Sequence, residues 1–108
     1  MPFARIGLFD VPPHQLASVV THFRDRVTSA FATHDGFLGY QALVDENAGR
    51  YVGISYWTSL TALEGSTEAA LRAREEAEAL GAQILGEPMI CREEFDTRAA
   101  SVRAGNSL

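Results

Sequence analysis

The sequence predicts an α+β domain in which two helices cover one face of a four-stranded antiparallel sheet. Three observations predict it. Apolar residues recur at helical spacing through one long segment, and short uncharged runs lie on either side of polar turns. These pieces follow one another as strand, helix, strand, strand, helix, strand along 108 residues.

The first strand is the run Phe3 to Phe9, with Arg5 its only charge, and Asp10-Val11-Pro12-Pro13 follows as a turn and helix entry. From about Pro13 to Thr33, Leu16, Val19, Val20, Phe23, Val27, Ala30 and Phe31 recur at spacings of three and four, one stripe of an amphipathic helix. Asp35-Gly36 ends that helix, because glycine takes up the left-handed closing conformation without strain. Phe37 to Val44 and Arg50 to Trp57 then read as an antiparallel hairpin around the polar turn Asp45 to Gly49.

Thr58 or Ser59 is placed to cap a second helix starting near Leu60. Gly65-Ser66-Thr67 should interrupt it, and a longer piece runs from about Thr67 to Leu80. Pro88 to Phe95 is the final strand. Right-handed crossovers turn this order into the ferredoxin-like βαββαβ arrangement, with residues 1–96 as one domain and residues 97–108 as a tail.

Both faces of the hairpin strands are uncharged in mid-strand. Leu38, Tyr40, Ala42 and Val44 alternate with Phe37, Gly39, Gln41 and Leu43, and Tyr51, Gly53, Ser55 and Trp57 alternate with Val52, Ile54 and Tyr56. Helices cover only one face, so the other is expected to meet a second copy of the chain, forming a homodimer through the sheet face. A hydrophobic content of 46% is high for so short a chain and points the same way.

The formal charge of −5, with no basic stripe, argues against nucleic acid as a partner. No apolar run reaches the ~18 residues of a membrane helix, and the first residues form no signal-peptide core, so no membrane association and a cytoplasmic location are expected. The single cysteine, Cys91, cannot form an internal disulfide, and no Cys/His cluster has metal-ligand spacing. Neither a metal nor another cofactor is expected.

Asp35-Gly36-Phe37-Leu38-Gly39-Tyr40 is similar to a "P-G-x-x-G-Y" strand entry, with His34-Asp35 in place of the proline. Ile54-Ser55-Tyr56-Trp57-Thr58-Ser59 with Ala62-Leu63 resembles an "x-x-x-x-W-x-S-x-x-A-L/F" strand-helix junction. Through these motifs the chain resembles the antibiotic-biosynthesis-monooxygenase domains of the dimeric α/β-barrel superfamily over roughly residues 3 to 96. The resemblance implies a cavity between sheet and helices, and cofactor-independent oxygenation of a small aromatic or quinol-type substrate. A non-catalytic dimer that binds a small ligand or another protein is the alternative.

Quinone-forming members are expected to pair a tryptophan late on the third strand with an asparagine on that strand and an arginine on the second helix. Trp57 matches, whereas the strand offers Gly53 and Ser55 instead of asparagine. Haem-degrading members use an asparagine on the first strand and a histidine on the second helix, and both are missing here, which disfavours that chemistry.

The candidate catalytic residues are therefore Trp57, to stack on an aromatic ring, His22, to take a phenolic proton, and Tyr56. Tyr40, Ser55, Trp57 and Arg72 are the candidate substrate-binding residues. Each has a plainer reading. Trp57 could be a corner tryptophan, the tyrosines interface residues, and His22 a boundary residue. Arg72 and Arg74 could belong to solvated i,i+4 pairs with Glu68, Glu76 and Glu78.

Overall fold

The computed structural model describes residues 1–98. The chain folds as an α+β ferredoxin-like domain, with the sheet order β2-β3-β1 and two short strands on the far side of β1. β1 (Phe3–Asp10) is central and pairs antiparallel with β3 (Arg50–Trp57), which pairs antiparallel with β2 (Phe37–Asp45). The helical segments pack on one face, over an aromatic core that includes Phe9, Phe23, Phe31, Tyr51 and Trp57.

The fourth strand position differs from expectation. One strand from Pro88 to Phe95 was predicted, but two pieces occupy the edge of β1: β4 (Gln83–Ile84) and β5 (Met89–Arg92). Gly86 lies at φ +73° between them, and Pro88 has no amide hydrogen to donate, so the ladder breaks there. Most of the predicted tail, residues 99–108, lies outside the described residues.

The first helix is continuous but not uniform. A 3₁₀ turn at Pro13–Gln15 leads into α1 (Leu16–Thr21), then a π-helical turn at His22–Val27, then α2 (Thr28–Phe31). The wide turn brings His22, Phe23 and Val27 all to the buried side. At the second helix the expected break is present. α3 (Leu60–Gly65) ends before Ser66 and α4 (Thr67–Ala79) restarts after it. Ser59 caps α3 by accepting from the amide of Ala62 at 3.1 Å.

A bulge in β2 changes one face assignment. Phe37 pairs with Trp57 and Gly39 with Tyr56, so Leu38 is the extra residue. Simple alternation puts Phe37 on the face opposite Tyr40, but the bulge returns it to the helix side. There its ring lies 5.2 Å from that of Trp57. The outer face carries Ile6, Leu8, Val52, Ile54 and Tyr56, all half-buried, with Leu43 and Met89 exposed. Among the described residues no helix is long and apolar enough to cross a membrane.

Candidate functional site

The site starts from two missing side chains. Gly7 on β1 and Gly53 on β3 are direct partners in the ladder, and both belong to the helix-facing set. Opposite them, α4 presents Ala70 and Ala73, buried and one turn apart. Small residues on both walls leave a cavity of about 40 Å³ between sheet and helix. Phe9, Phe23, Phe31 and Tyr40 wall it, and Arg5, Ser55 and Arg74 supply its polar groups.

Trp57 stands behind this cavity and does not line it. It is fully buried, with Phe31 packed edge-on at 5.6 Å and its indole N–H donating to Ser55 Oγ at 2.9 Å. The tryptophan therefore orients the serine hydroxyl, and Ser55 carries that contact to the cavity surface.

Tyr40 and Tyr51 form a hydroxyl pair at 3.0 Å. The ring of Phe23 stacks on both, 5.9 Å from Tyr40 and 4.9 Å from Tyr51. Burial, reinforced by the neighbouring Tyr51, drives the Tyr40 hydroxyl far above the ordinary phenol range. Burial also pushes Tyr51 up to about 12, against the hydrogen bond with Tyr40, which pulls it down. Both stay protonated at neutral pH, so the pair presents a donor to the cavity and no base.

Gly53 makes room for this pair. A Cβ built there would overlap Tyr40 Oη and come within 3.1 Å of Tyr40 Cζ and 3.2 Å of Tyr51 Cε1.

Arg5 is the residue that sequence reasoning passed over. Only 8% exposed, it donates from Nη1 to Ser66 Oγ and from Nη2 to the carbonyl of Leu63, both at 2.9 Å. The break between α3 and α4 supplies both acceptors, and Ser66 Oγ in turn donates to the Leu63 carbonyl at 2.6 Å. Desolvation lowers the Arg5 pKa. One signal was available: Arg5 is the lone charge between Phe3 and Phe9 and shares a strand face with Phe3, Gly7 and Phe9.

The remaining candidates are dispersed. Tyr56 lies on the outer sheet face, its hydroxyl donating to Gln41 Oε1 at 2.7 Å. His22 is buried but turned toward α4, with Nε2 3.1 Å from the carbonyl of Ala73 and 3.9 Å from a Glu76 carboxylate oxygen. Arg72 is exposed and does not line the cavity, whereas Arg74 does, and donates to the carbonyl of Gly86 at 2.8 Å. Glu76 reaches across to Arg26 at 3.6 Å, where a pair with Arg72 along the helix was expected. Thus Tyr40 and Ser55 meet at the cavity, Trp57 backs it, and Tyr56, His22 and Arg72 point elsewhere.

Comparison with known proteins follows the same outline. The family described as antibiotic biosynthesis monooxygenase matches residues 2–74. Two uncharacterised proteins from strains of Mycobacterium tuberculosis are each 32% identical over 75 residues, which is 69% of this chain and 32% of theirs. The chain thus spans about a third of the length of the curated relatives it matches.

Among solved structures, a variant of SnoaB, a cofactor-independent oxygenase from Streptomyces nogalater, superposes with a TM-score of 0.68 at 19% identity. That match covers 91% of this chain and 98% of the other. A monooxygenase from the gene ActVA-Orf6 of Streptomyces coelicolor, solved with the ligand nanaomycin D, gives 0.66 at 18% identity, over 90% and 92% of the two chains. At these identities the solved structures show a common fold.

Proposed function

This chain belongs to the antibiotic biosynthesis monooxygenase family, and from that premise we propose that it is a cofactor-independent monooxygenase acting on a small aromatic or quinol-type substrate. The observation that carries the reading is the aromatic-walled cavity at the Gly7–Gly53 pair, with Tyr40, Ser55 and Arg5 among its lining residues. Such a substrate loses a proton to give a resonance-stabilised anion that transfers electrons to dioxygen. Oxygen adds at the same carbon, and loss of water from the hydroperoxide leaves a carbonyl. Atoms and electrons balance without a further reductant: a ring CH₂ becomes C=O, one oxygen atom stays and the other leaves as water.

The protein contributes orientation and exclusion of water. With Tyr51 as the donor in their shared bond, Tyr40 keeps its own O–H for the oxygen on which charge develops, while Trp57 holds Ser55 in place. The cavity, about 40 Å³ and partly open to solvent, is well below the roughly 150 Å³ that admits a benzene ring, so on this reading its walls widen to take a substrate. That size is the one observation favouring the second reading, a non-catalytic protein that binds a small ligand.

Oxygen uptake with a panel of hydroxyanthracenes and quinols separates the two. The first reading expects uptake matched by carbonyl product and cut roughly 100-fold in Tyr40→Phe. Uptake no faster with the native protein than with that variant refutes it.

The same proposal includes a homodimer across the outer sheet face. Its support is the uncharged surface formed by Ile6, Leu8, Leu43, Val52, Ile54, Tyr56 and Met89.

A further inference from the structure

A guanidinium that is nine-tenths buried is ordinarily neutralised by a carboxylate, because an unpaired charge is costly away from water. Arg5 is held differently. Among the described residues its partners are a serine hydroxyl and a backbone carbonyl, both neutral, and the ion pairs all lie elsewhere. The chain has 14 acidic residues against nine Lys and Arg, so carboxylates were available. None lines the cavity, while two arginines, Arg5 and Arg74, are among its lining residues. The basic residues beside the cavity thus have no acidic counterpart in its lining, although the protein as a whole is acidic.

The space lies next to that charge. Arg5 sits opposite Ser55 in the ladder, and the next helix-facing pair is Gly7 with Gly53, where neither strand has a side chain. Arginine remains cationic at neutral pH even when desolvation lowers its pKa. The site has a second requirement. No lining residue is a carboxylate or an imidazole, His22 is turned to α4, and Tyr40 is a donor. The substrate's proton has no acceptor in the wall.

We propose that Arg5 is the anion-binding residue of this cavity, taking the phenolate, enolate or carboxylate oxygen of a small aromatic ligand. It replaces a general base: by binding the anion more tightly than the acid, it lowers the ligand's pKa in the site, and the proton leaves to solvent. Each tenfold preference for the anion lowers that pKa by about one unit. Ser66 and the Leu63 carbonyl fix the guanidinium and take up only two of its five N–H groups, so on this proposal the ligand meets the others. The inference rests on the aromatic-ligand reading above, but its test needs no turnover.

The probe is 4-nitrophenol, whose yellow anion is distinguished by absorbance from its colourless acid. Bound to the native protein, the dye should be yellow at a pH where the free dye is mostly colourless. Arg5→Met should weaken its binding roughly 10- to 100-fold and abolish the colour shift, while Arg5→Lys keeps part of both. On the native protein alone, benzoate should displace the dye and the neutral isostere benzamide should not, which keeps the test intact if Arg5→Met fails to fold. Equal displacement by benzamide, an undiminished colour shift in Arg5→Met, or no binding of dye or benzoate to the native protein overturns the assignment. If anion binding is confirmed but no panel compound drives oxygen uptake, the oxygenase reading fails and the Arg5 assignment stands.

Discussion

Replacing Gly53 by alanine puts one methyl group where the Tyr40 hydroxyl now lies. The backbone does not oppose the change, because Gly53 is not among the glycines at positive φ. The cost is steric. The new Cβ overlaps Tyr40 Oη and comes within 3.1 Å of Tyr40 Cζ and 3.2 Å of Tyr51 Cε1, so the phenol must swing away. That movement breaks the 3.0 Å bond to Tyr51, worth about 1 kcal/mol, and overpacks a closed aromatic cluster, worth about 1–3 kcal/mol. The stiffer unfolded chain returns roughly 0.4–1 kcal/mol.

The net destabilisation expected for Gly53→Ala is about 2 kcal/mol, or roughly 10 °C in Tm for a domain of this length. The decisive assay is a cycle of urea denaturation on the native protein, Gly53→Ala, Tyr40→Phe and the double variant. Tyr40→Phe removes the overlapping atom, so Gly53→Ala should cost at least about 1 kcal/mol less in that background. Equal cost in both backgrounds, or no cost in either, refutes the claim that Gly53 is there to accommodate Tyr40.

Two further predictions concern charge. Burial raises Tyr51 from 10.0 to about 12 and raises Tyr40 as well, so the folded state favours the neutral phenols. Their contribution is fully present below about pH 10, where both states are protonated, and is lost as pH rises toward 12 because the unfolded chain ionises first. Urea midpoints should be flat below that window and then fall, with Tyr51 contributing on the order of 2 kcal/mol; Tyr51→Phe should flatten the decline. Ile54→Glu puts a carboxylate in the middle of the outer sheet face, where alternation points it away from the helices. Sedimentation should show a native dimer and a folded Ile54→Glu monomer at micromolar concentration. A native monomer would remove the basis for the interface.

Local chemistry was legible in advance. The stripe from Leu16 to Phe31, the Asp35-Gly36 stop, the hairpin, the Ser59 cap and the break at Gly65-Ser66 all follow from interactions within a few residues. The choice between Arg72 and Arg74 was almost within reach. Residues two apart on a helix do not share a face, and Arg74 lies beside the buried stripe Ala70, Ala73 and Ala77 while Arg72 lies away from it. The helix phase needed to decide between them was obscured by the break at Ser66. His22 opens the π-helical turn and is buried toward α4, and the sequence shows no mark of that widening.

By itself the sequence determined the helices and the first three strands, though not the split of the last into β4 and β5, and that two uncharged sheet faces cannot both be covered by helices. Those are consequences of spacing and composition along the chain. Tertiary structure alone decided that Gly7 meets Gly53, that the Leu38 bulge turns Phe37 inward, and that Arg5 reaches the break between α3 and α4. Each depends on strand register or on contact between residues more than 15 positions apart, which no local pattern encodes. The cavity is made from such long-range pairings, and for that reason Trp57 was singled out in the sequence while Arg5, whose partners lie 61 and 58 residues away, was passed over.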